Sequence, residues 1–371
     1  MSNTPFYRPL AIEMIRTDVQ DIKARQAKAG KAHEIPMGDA GADLFNIQTA
    51  NQWMHIEKQK PNPGMLFGNF WYQNELCILF ADTNMGKSIL AVQLGDSISK
   101  GVAIGPFEMY APAQTVLYID FELSAKQFEL RYSDTHGSYE FSPEFFRAEF
   151  TMQHEVPYQY KDFNDYLHSA LNYAITHTGA QVLIIDNITC LRNGTERADN
   201  AISLMRHLNA LKARHQLSIL VLAHTPKRQI ANPITRNDLQ GSKMLINFAD
   251  SAFAIGECCQ TQPDAGDTPA APYRYLKQVK QRNGTEVYGA QNVCLFKLIR
   301  SDSFLQFEFA GHAHEYDLLR RYSQQQHHHY AQQVALLLTD GKSQRQIADK
   351  LHISLGLVNK LAQQHKLLIA V

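Results

Sequence analysis

From Leu76 onward, short apolar runs alternate with longer stretches in which apolar positions recur every three or four residues. The runs predict strands near 75–81, 115–121, 181–186 and 217–223, and the periodic stretches predict helices near 86–100, 124–133, 161–177 and 198–215. Such alternation argues for a parallel, doubly wound α/β sheet. After residue 250 the pattern changes. Strands are expected at 251–255, 273–282, 292–299 and 304–309, with no helices between them, as in a meander that extends the sheet. Residues 261–272, rich in Pro, Asp and Ala, read as a loop.

The two ends read differently. Over 8–30, Ile12, Ile15, Val19 and Ile22 recur at intervals of three and four with charges between them, which predicts an amphipathic helix. Its apolar stripe suits either a neighbouring subunit or the body of its own chain. Breaks follow at 38–41 and 61–64. The run 323–329, Ser-Gln-Gln-Gln-His-His-His, is of low complexity and reads as a flexible linker rather than a metal site. Beyond it, a helix over 331–338 closes at Asp340-Gly341, Ser343 caps 344–351, and Ser354 caps 355–368. Ile347, Ala348, Leu351, Ile353, Val358 and Leu361 form an apolar set suited to a helix-turn-helix, with His352 at a turn position that is often glycine. The expected organisation is a helical arm at 1–60, an α/β core at 61–320, a Gln/His-rich linker at 321–329 and a helix-turn-helix-like module at 330–371.

Composition narrows the class. With 371 residues, of which 44% are hydrophobic, the chain can bury one large core plus small appendages. Lys plus Arg and Asp plus Glu both number 36, so any surface for nucleic acid must be local. No apolar run reaches the length of a membrane span, and the N-terminus has no signal-peptide pattern. Cys77, Cys190, Cys258, Cys259 and Cys294 form no CxxC pair, which fits buried thiols in a reducing cytoplasm.

Five segments carry candidate chemistry. At 75–90 an apolar strand enters a polar loop ending Gly86-Lys87-Ser88, and an apolar helix follows. This is a P-loop layout with Ala81 at the first glycine position. Backbone N–H groups of Ala81, Asp82, Thr83, Asn84, Met85, Gly86, Lys87, Ser88 and Ile89 would cradle the phosphates of ATP. Lys87 would reach the β- and γ-phosphates, and the Ser88 hydroxyl would ligate Mg²⁺. At 181–186 four apolar residues deliver Asp186 to the end of a strand, where it could hold the Mg²⁺ shell. Asn187 beside it is no second acid, so Glu122, at the end of the strand after the P-loop helix, is the candidate base that polarises water. At 218–228 an apolar strand ends in His224, a candidate γ-phosphate sensor. At 277–284 Lys280 and Arg282 alternate onto one strand face, as two cations aimed together would. Their alternative is a solvated basic face.

Together these segments make the chain resemble the RecA-type ATPases of the bacterial replicative and plasmid-replication hexameric helicase group. The resemblance spans about 60–310 and is carried by 81–88, by Phe121-Glu-Leu-Ser-Ala-Lys-Gln127, by 238–250 and by Lys280-Gln-Arg-Asn-Gly284. It implies a RecA-like core and a ring, expected to be a homo-hexamer, with ATP sites between subunits. In such a ring Lys280 and Arg282 act on the neighbour's γ-phosphate. His224 stands where replicative helicases often carry glutamine, which favours the plasmid-type branch.

The resemblance also places a loop after His224 at the ring channel. Lys227, Arg228, Arg236 and Lys243 would there track single-stranded DNA, and Arg192 and Arg197 mark a second candidate loop. In the C-terminal module Lys342, Arg345, Lys350, Lys360 and Lys366 outnumber Asp340 and Asp349. Asn359, Lys360, Gln363 and Gln364 would lie on a recognition helix facing duplex DNA, or on a helix that docks a protein. The expected activity is an ATP-dependent hexameric DNA motor, a helicase for a plasmid, phage or mobile element. The alternatives are a DNA-binding ATP switch that loads or regulates other proteins, and a recombination ATPase that coats DNA.

Overall fold

The computed structural model describes residues 46–150, 156–188, 198–226, 228, 231–239, 243–258, 273–319, 324–351, 353 and 355–369. The helix expected at 8–30, the loop at 261–272, Cys190, Arg192, Arg197, Lys227, Cys259, His352 and Ser354 lie outside these residues, as do the side chains of Lys243 and Gln364. The chain divides into two units between Asn62 and Pro63. In the first, helix α1 (Ala50–Lys58) starts at a capping box in which Thr49 and Gln52 exchange side-chain and backbone hydrogen bonds.

The second unit opens with two short strands, β1 (Met65–Phe67) and β2 (Trp71–Tyr72), then β3 (Leu76–Ala81) and α2 (Lys87–Lys100). Next come β4 (Val116–Asp120), α3 (Ala125–Arg131), β5 (Ser133–Asp134), β6 (Gly137–Ser138), β7 (Phe145–Glu149) and α4 (Phe163–Thr178). Strand β8 (Val182–Asp186), α5 (Ala198–His215), β9 (Ser218–His224), α6 (Lys243–Phe248) and β10 (Ser251–Glu257) follow. The meander is β11 (Arg274–Gln281), β12 (Val293–Ser301) and β13 (Phe304–Ala313), ahead of the short α7 (Glu315–Leu318). The chain ends in α8 (Gln324–Thr339), α9 (Gln344–Leu351) and α10 (Leu355–Ile369).

Nine strands form one sheet in the order β13-β12-β11-β10-β3-β9-β8-β4-β7. The strands from β10 to β7 are parallel, and the meander is antiparallel. Strand β9 lies between the P-loop strand and the strand that carries Asp186. Side chains of a strand alternate between faces, so β3 feeds two cores. Leu76, Ile78 and Phe80 pack with Leu171 of α4, Leu208 of α5 and Leu245 of α6. Cys77, Leu79 and Ala81 pack with Leu90 and Leu94 of α2 and with Phe67 of β1. Burying each such leucine contributes about 1.5–3 kcal/mol. The parallel arrangement aligns the strand ends: Ala81 pairs with His224, and Asp120 with Asp186. All four therefore reach one edge of the sheet.

Two local expectations change, and one strand has no counterpart among them. The Gln/His run is helical from Gln324, not a linker up to residue 329. Gln has good helix propensity, and low complexity alone breaks no helix. The segment between His224 and β10, expected as a basic loop, holds a 3-10 turn at Arg236–Asp238 and helix α6. Strand β7 carries no sequence signal, because Phe-Phe-Arg-Ala-Glu at a sheet edge lacks a long apolar run. Helices α8, α9 and α10 share a core of their own, in which Val334 and Leu337 meet Ile347, Ile353, Val358 and Leu361.

Candidate nucleotide-binding site

The P-loop is shaped by its backbone. Gly86 caps α2 with φ 92°, and a Cβ there would lie 2.8 Å from the Phe307 ring of β13. Only glycine meets both demands without strain. Asp82, Thr83 and Asn84 are exposed, whereas Met85 and Ile89 turn into the core. Gln93, two turns along the helix, exchanges hydrogen bonds with the Phe307 backbone, 3.0 Å to its carbonyl and 2.9 Å from its N–H. The meander thus braces the P-loop helix.

Lys87 is nearly buried and curls back over the loop. Its Nζ donates to the carbonyls of Ala81 and Asp82, each at 3.0 Å, and lies 3.2 Å from His224 Nδ1. Burial pulls its ammonium below the ordinary lysine value, against Asp186 and Glu122, which raise it. An ammonium has only protons to give. His224 Nδ1 therefore accepts, which leaves Nε2 as the ring nitrogen that carries a proton. That nitrogen lies 3.5 Å from Glu122 Oε1. Asn187 Nδ2, 3.1 Å from the same ring nitrogen, donates to the same carboxylate oxygen. The His224 ring holds the Glu122 carboxyl below the usual range, against burial, so the group stays ionised as a proton acceptor must.

Glu122 is also fixed through its backbone. Asp120 Oδ1 accepts from the N–H groups of Glu122 at 3.0 Å and Leu123 at 2.9 Å. Its Oδ2 takes a bidentate contact from Arg147 of β7, at 3.1 Å from Nε and 3.0 Å from Nη2. With both oxygens engaged and its side chain fully buried, Asp120 orients the loop rather than acting as a base.

Asp186 is 1% exposed. Tyr118 Oη donates to its Oδ2 at 2.6 Å. Among the described residues its Oδ1 has no hydrogen-bond partner. Burial pushes the carboxyl up to about 6, opposed by the Ser88 and Tyr118 hydroxyls beside it. An orphaned, buried carboxylate oxygen next to a hydroxyl suits a hard divalent cation, so Ser88 and Asp186 fit Mg²⁺. Thr225 Oγ1 is a second buried polar atom at this edge with no partner among the described residues.

The structure thus gathers Lys87, Ser88, Glu122, Asp186 and His224. It sets Lys280 and Arg282 elsewhere. Lys280 pairs with Ala252 near the start of β10, whose first residue pairs with Cys77 near the start of β3. Ala252 pairs with Ile78, three residues and roughly 10 Å along β3 from Ala81, and Arg282 follows Gln281, which pairs with Ser251 and through it with Cys77, four residues from Ala81. Lys280 Nζ donates to the Ile246 carbonyl at 2.6 Å, at the C-terminal end of α6. Arg282 donates to the Asn247 carbonyl at 2.9 Å and to Asp250 at 3.1 Å. Among the expected DNA contacts, Arg228 donates to the Asn232 carbonyl at 3.0 Å and Arg236 to the Val279 carbonyl at 2.6 Å. Asn359, Lys360 and Gln363 are exposed on α10.

Sequence reading missed Tyr118, Asp120, Arg147 and Asn187. Three of them flank predicted site residues in sequence, yet only register shows that Asp120 meets Asp186's strand and β7. Arg147 has no local signal at all.

No curated protein matches this chain. Among solved structures, a KaiC-like protein, PH0186, from the hyperthermophilic archaeon Pyrococcus horikoshii OT3 is similar over 64% of this chain and 90% of its own, with 13% identity and a TM-score of 0.43. An AAA domain, AAA_25, matches residues 42–229, which is half of the sequence and takes in the P-loop, Glu122, Asp186 and His224. The chain belongs to that AAA domain family.

Proposed function

We propose that the protein is one subunit of an ATP-driven DNA motor, a homo-hexameric ring that acts as a helicase for a plasmid, phage or mobile element. The observation that carries this reading is the placement of Lys280 and Arg282 on β11, two strands from β3 and turned away from the P-loop toward the start of β10 and the end of α6. Cations so placed can serve a phosphate site only in a neighbouring subunit. A ring of such contacts supplies each site with a finger from the next chain, worth roughly 10³–10⁵ in rate.

Within one subunit, Lys87 leaves the Ala81 and Asp82 carbonyls to meet the incoming phosphates. Glu122, held by Asn187 and by the Asp120 turn, takes the proton of the attacking water. His224 touches both Lys87 and Glu122, so loss of the γ-phosphate is felt at the segment that follows it. Mg²⁺ supplies charge neutralisation at the phosphates when it is bound at Ser88 and Asp186. The basic segment after His224 and the exposed face of α10 are the surfaces assigned to single-stranded and duplex DNA.

A second reading, a DNA-binding ATP switch without unwinding activity, draws on one observation. Arg228 and Arg236 are both engaged by carbonyls of their own chain. One experiment separates the two. ATPase rate is measured against protein concentration with and without single-stranded DNA, beside a strand-displacement assay. Cooperative, DNA-stimulated hydrolysis with strand separation is expected of the motor. DNA-stimulated hydrolysis without displacement selects the switch, and activity independent of concentration and DNA removes the ring.

A further inference from the structure

We infer that Tyr118 is a positioning residue for the cation-binding carboxylate, fixing which oxygen of Asp186 is presented to the metal. The inference rests on the reading of this edge as a Mg²⁺–nucleotide site. Tyr118 sits on β4, one strand over from Asp186, and is fully buried. Its ring is held in the core on the α2 side of the sheet, close to Phe145. A buried tyrosine hydroxyl needs a partner, and here the partner is Asp186 Oδ2 at 2.6 Å.

That bond does two things. It satisfies one carboxylate oxygen inside the protein, and it stops rotation about the carboxylate axis. The other oxygen, Oδ1, is left buried and without a partner among the described residues. Without the Tyr118 hydroxyl, the carboxylate is free to turn toward the Lys87 ammonium, whose charge it already feels. A carboxylate turned toward Lys87 is lost to the cation. Partners that orient a metal ligand in this way typically contribute ten- to a hundredfold in metal affinity.

The test uses the full-length protein and its Tyr118→Phe variant, which removes one oxygen and keeps the ring in its packing. ADP affinity is measured with Mg²⁺ and with EDTA, and Mn²⁺ binding in the presence of ADP is read by electron paramagnetic resonance. Circular dichroism and thermal unfolding check the fold. The expected result is ADP affinity in EDTA within about twofold of wild type, with Mn²⁺ affinity reduced roughly ten- to a hundredfold. Wild-type Mn²⁺ affinity in a folded Tyr118→Phe protein overturns the inference. So does an equal loss of ADP affinity in EDTA, which marks general damage instead of a misplaced ligand. If the wild-type protein itself shows no Mg²⁺-enhanced ADP binding, the nucleotide-site reading fails, and that outcome is distinct from failure of the Tyr118 role.

Discussion

The two edges of the central sheet carry polar networks of opposite character. Toward the N-terminal edge of the parallel strands, both oxygens of Asp250 and both oxygens of Glu75 are used by the chain itself. Asp250 Oδ2 takes the Leu76 N–H at 2.9 Å and Lys212 at 2.6 Å, and its Oδ1 takes Arg282 at 3.1 Å. Glu75 takes the Tyr72 N–H, Ser251 Oγ and Asn283 Nδ2. At the C-terminal edge, Asp186 Oδ1 and Thr225 Oγ1 are buried and unpartnered among the described residues, and Lys87 rests on loop carbonyls. An unpaired buried polar atom costs free energy and is retained where something else completes it. The Asp250 and Glu75 cluster stabilises the fold, and the open Asp186 oxygen is the one set beside the P-loop. Arg282 belongs structurally to the first edge and, in the proposed ring, functionally to the second edge of a neighbour.

The sharpest way to break this contrast is at Arg282. Arg282→Ala should bind ATP and hydrolyse it about 10³-fold more slowly if it serves a neighbouring site. Mixing it with Lys87→Ala should restore part of the activity, because a mixed interface pairs an intact P-loop with an intact finger. Unchanged turnover by Arg282→Ala would confine that residue to the structural edge.

At the other edge, Glu122→Gln should retain nucleotide binding and lose at least ~10²-fold in kcat, since an amide cannot take the proton. Single-turnover kinetics separate the two steps. Wild-type turnover there would reduce Glu122 to an acid at the start of a helix.

Asp250→Ala tests the first edge by stability. It strands Lys212 and leaves the Leu76 N–H unpaired, which should cost about 3 kcal/mol in urea unfolding. Asp186→Ala, at the second edge, should abolish hydrolysis with a smaller loss of metal-free stability. Equal losses would erase the distinction between the edges.

The smaller effects concern Lys280 and the tail. Burial pulls the Lys280 ammonium down to about 8, with Arg282 and Arg236 lowering it further and Asp250 opposing them. It is charged below that pH and neutral above. Its contribution to turnover should therefore fade as pH rises through about 8, and Lys280→Arg should flatten that limb of the kcat profile. Deleting 323–371 should leave ATPase activity within about twofold, because the three C-terminal helices have a core of their own, while duplex-DNA affinity falls. Loss of the folded core on deletion would make the tail part of it.

Much of this site is legible in the sequence because its signals are local. Strands such as 76–81 and 182–186 are nearly uninterrupted apolar runs, and their polar punctuation marks the residues that reach the sheet edge. Gly86-Lys87-Ser88 lies within one turn and needs no partner to be recognised. The sequence by itself determined the α/β class, the meander, the P-loop, and Glu122, Asp186 and His224 as candidates. Tertiary structure alone decided which of them meet. Strand order and register are long-range pairings that no local pattern specifies. They put His224 between Lys87 and Glu122, Tyr118 on Asp186, and Arg147 beneath the Glu122 turn. They also put Lys280 and Arg282 at the far edge, because β11 runs antiparallel to β10 and carries its last residues away from the P-loop.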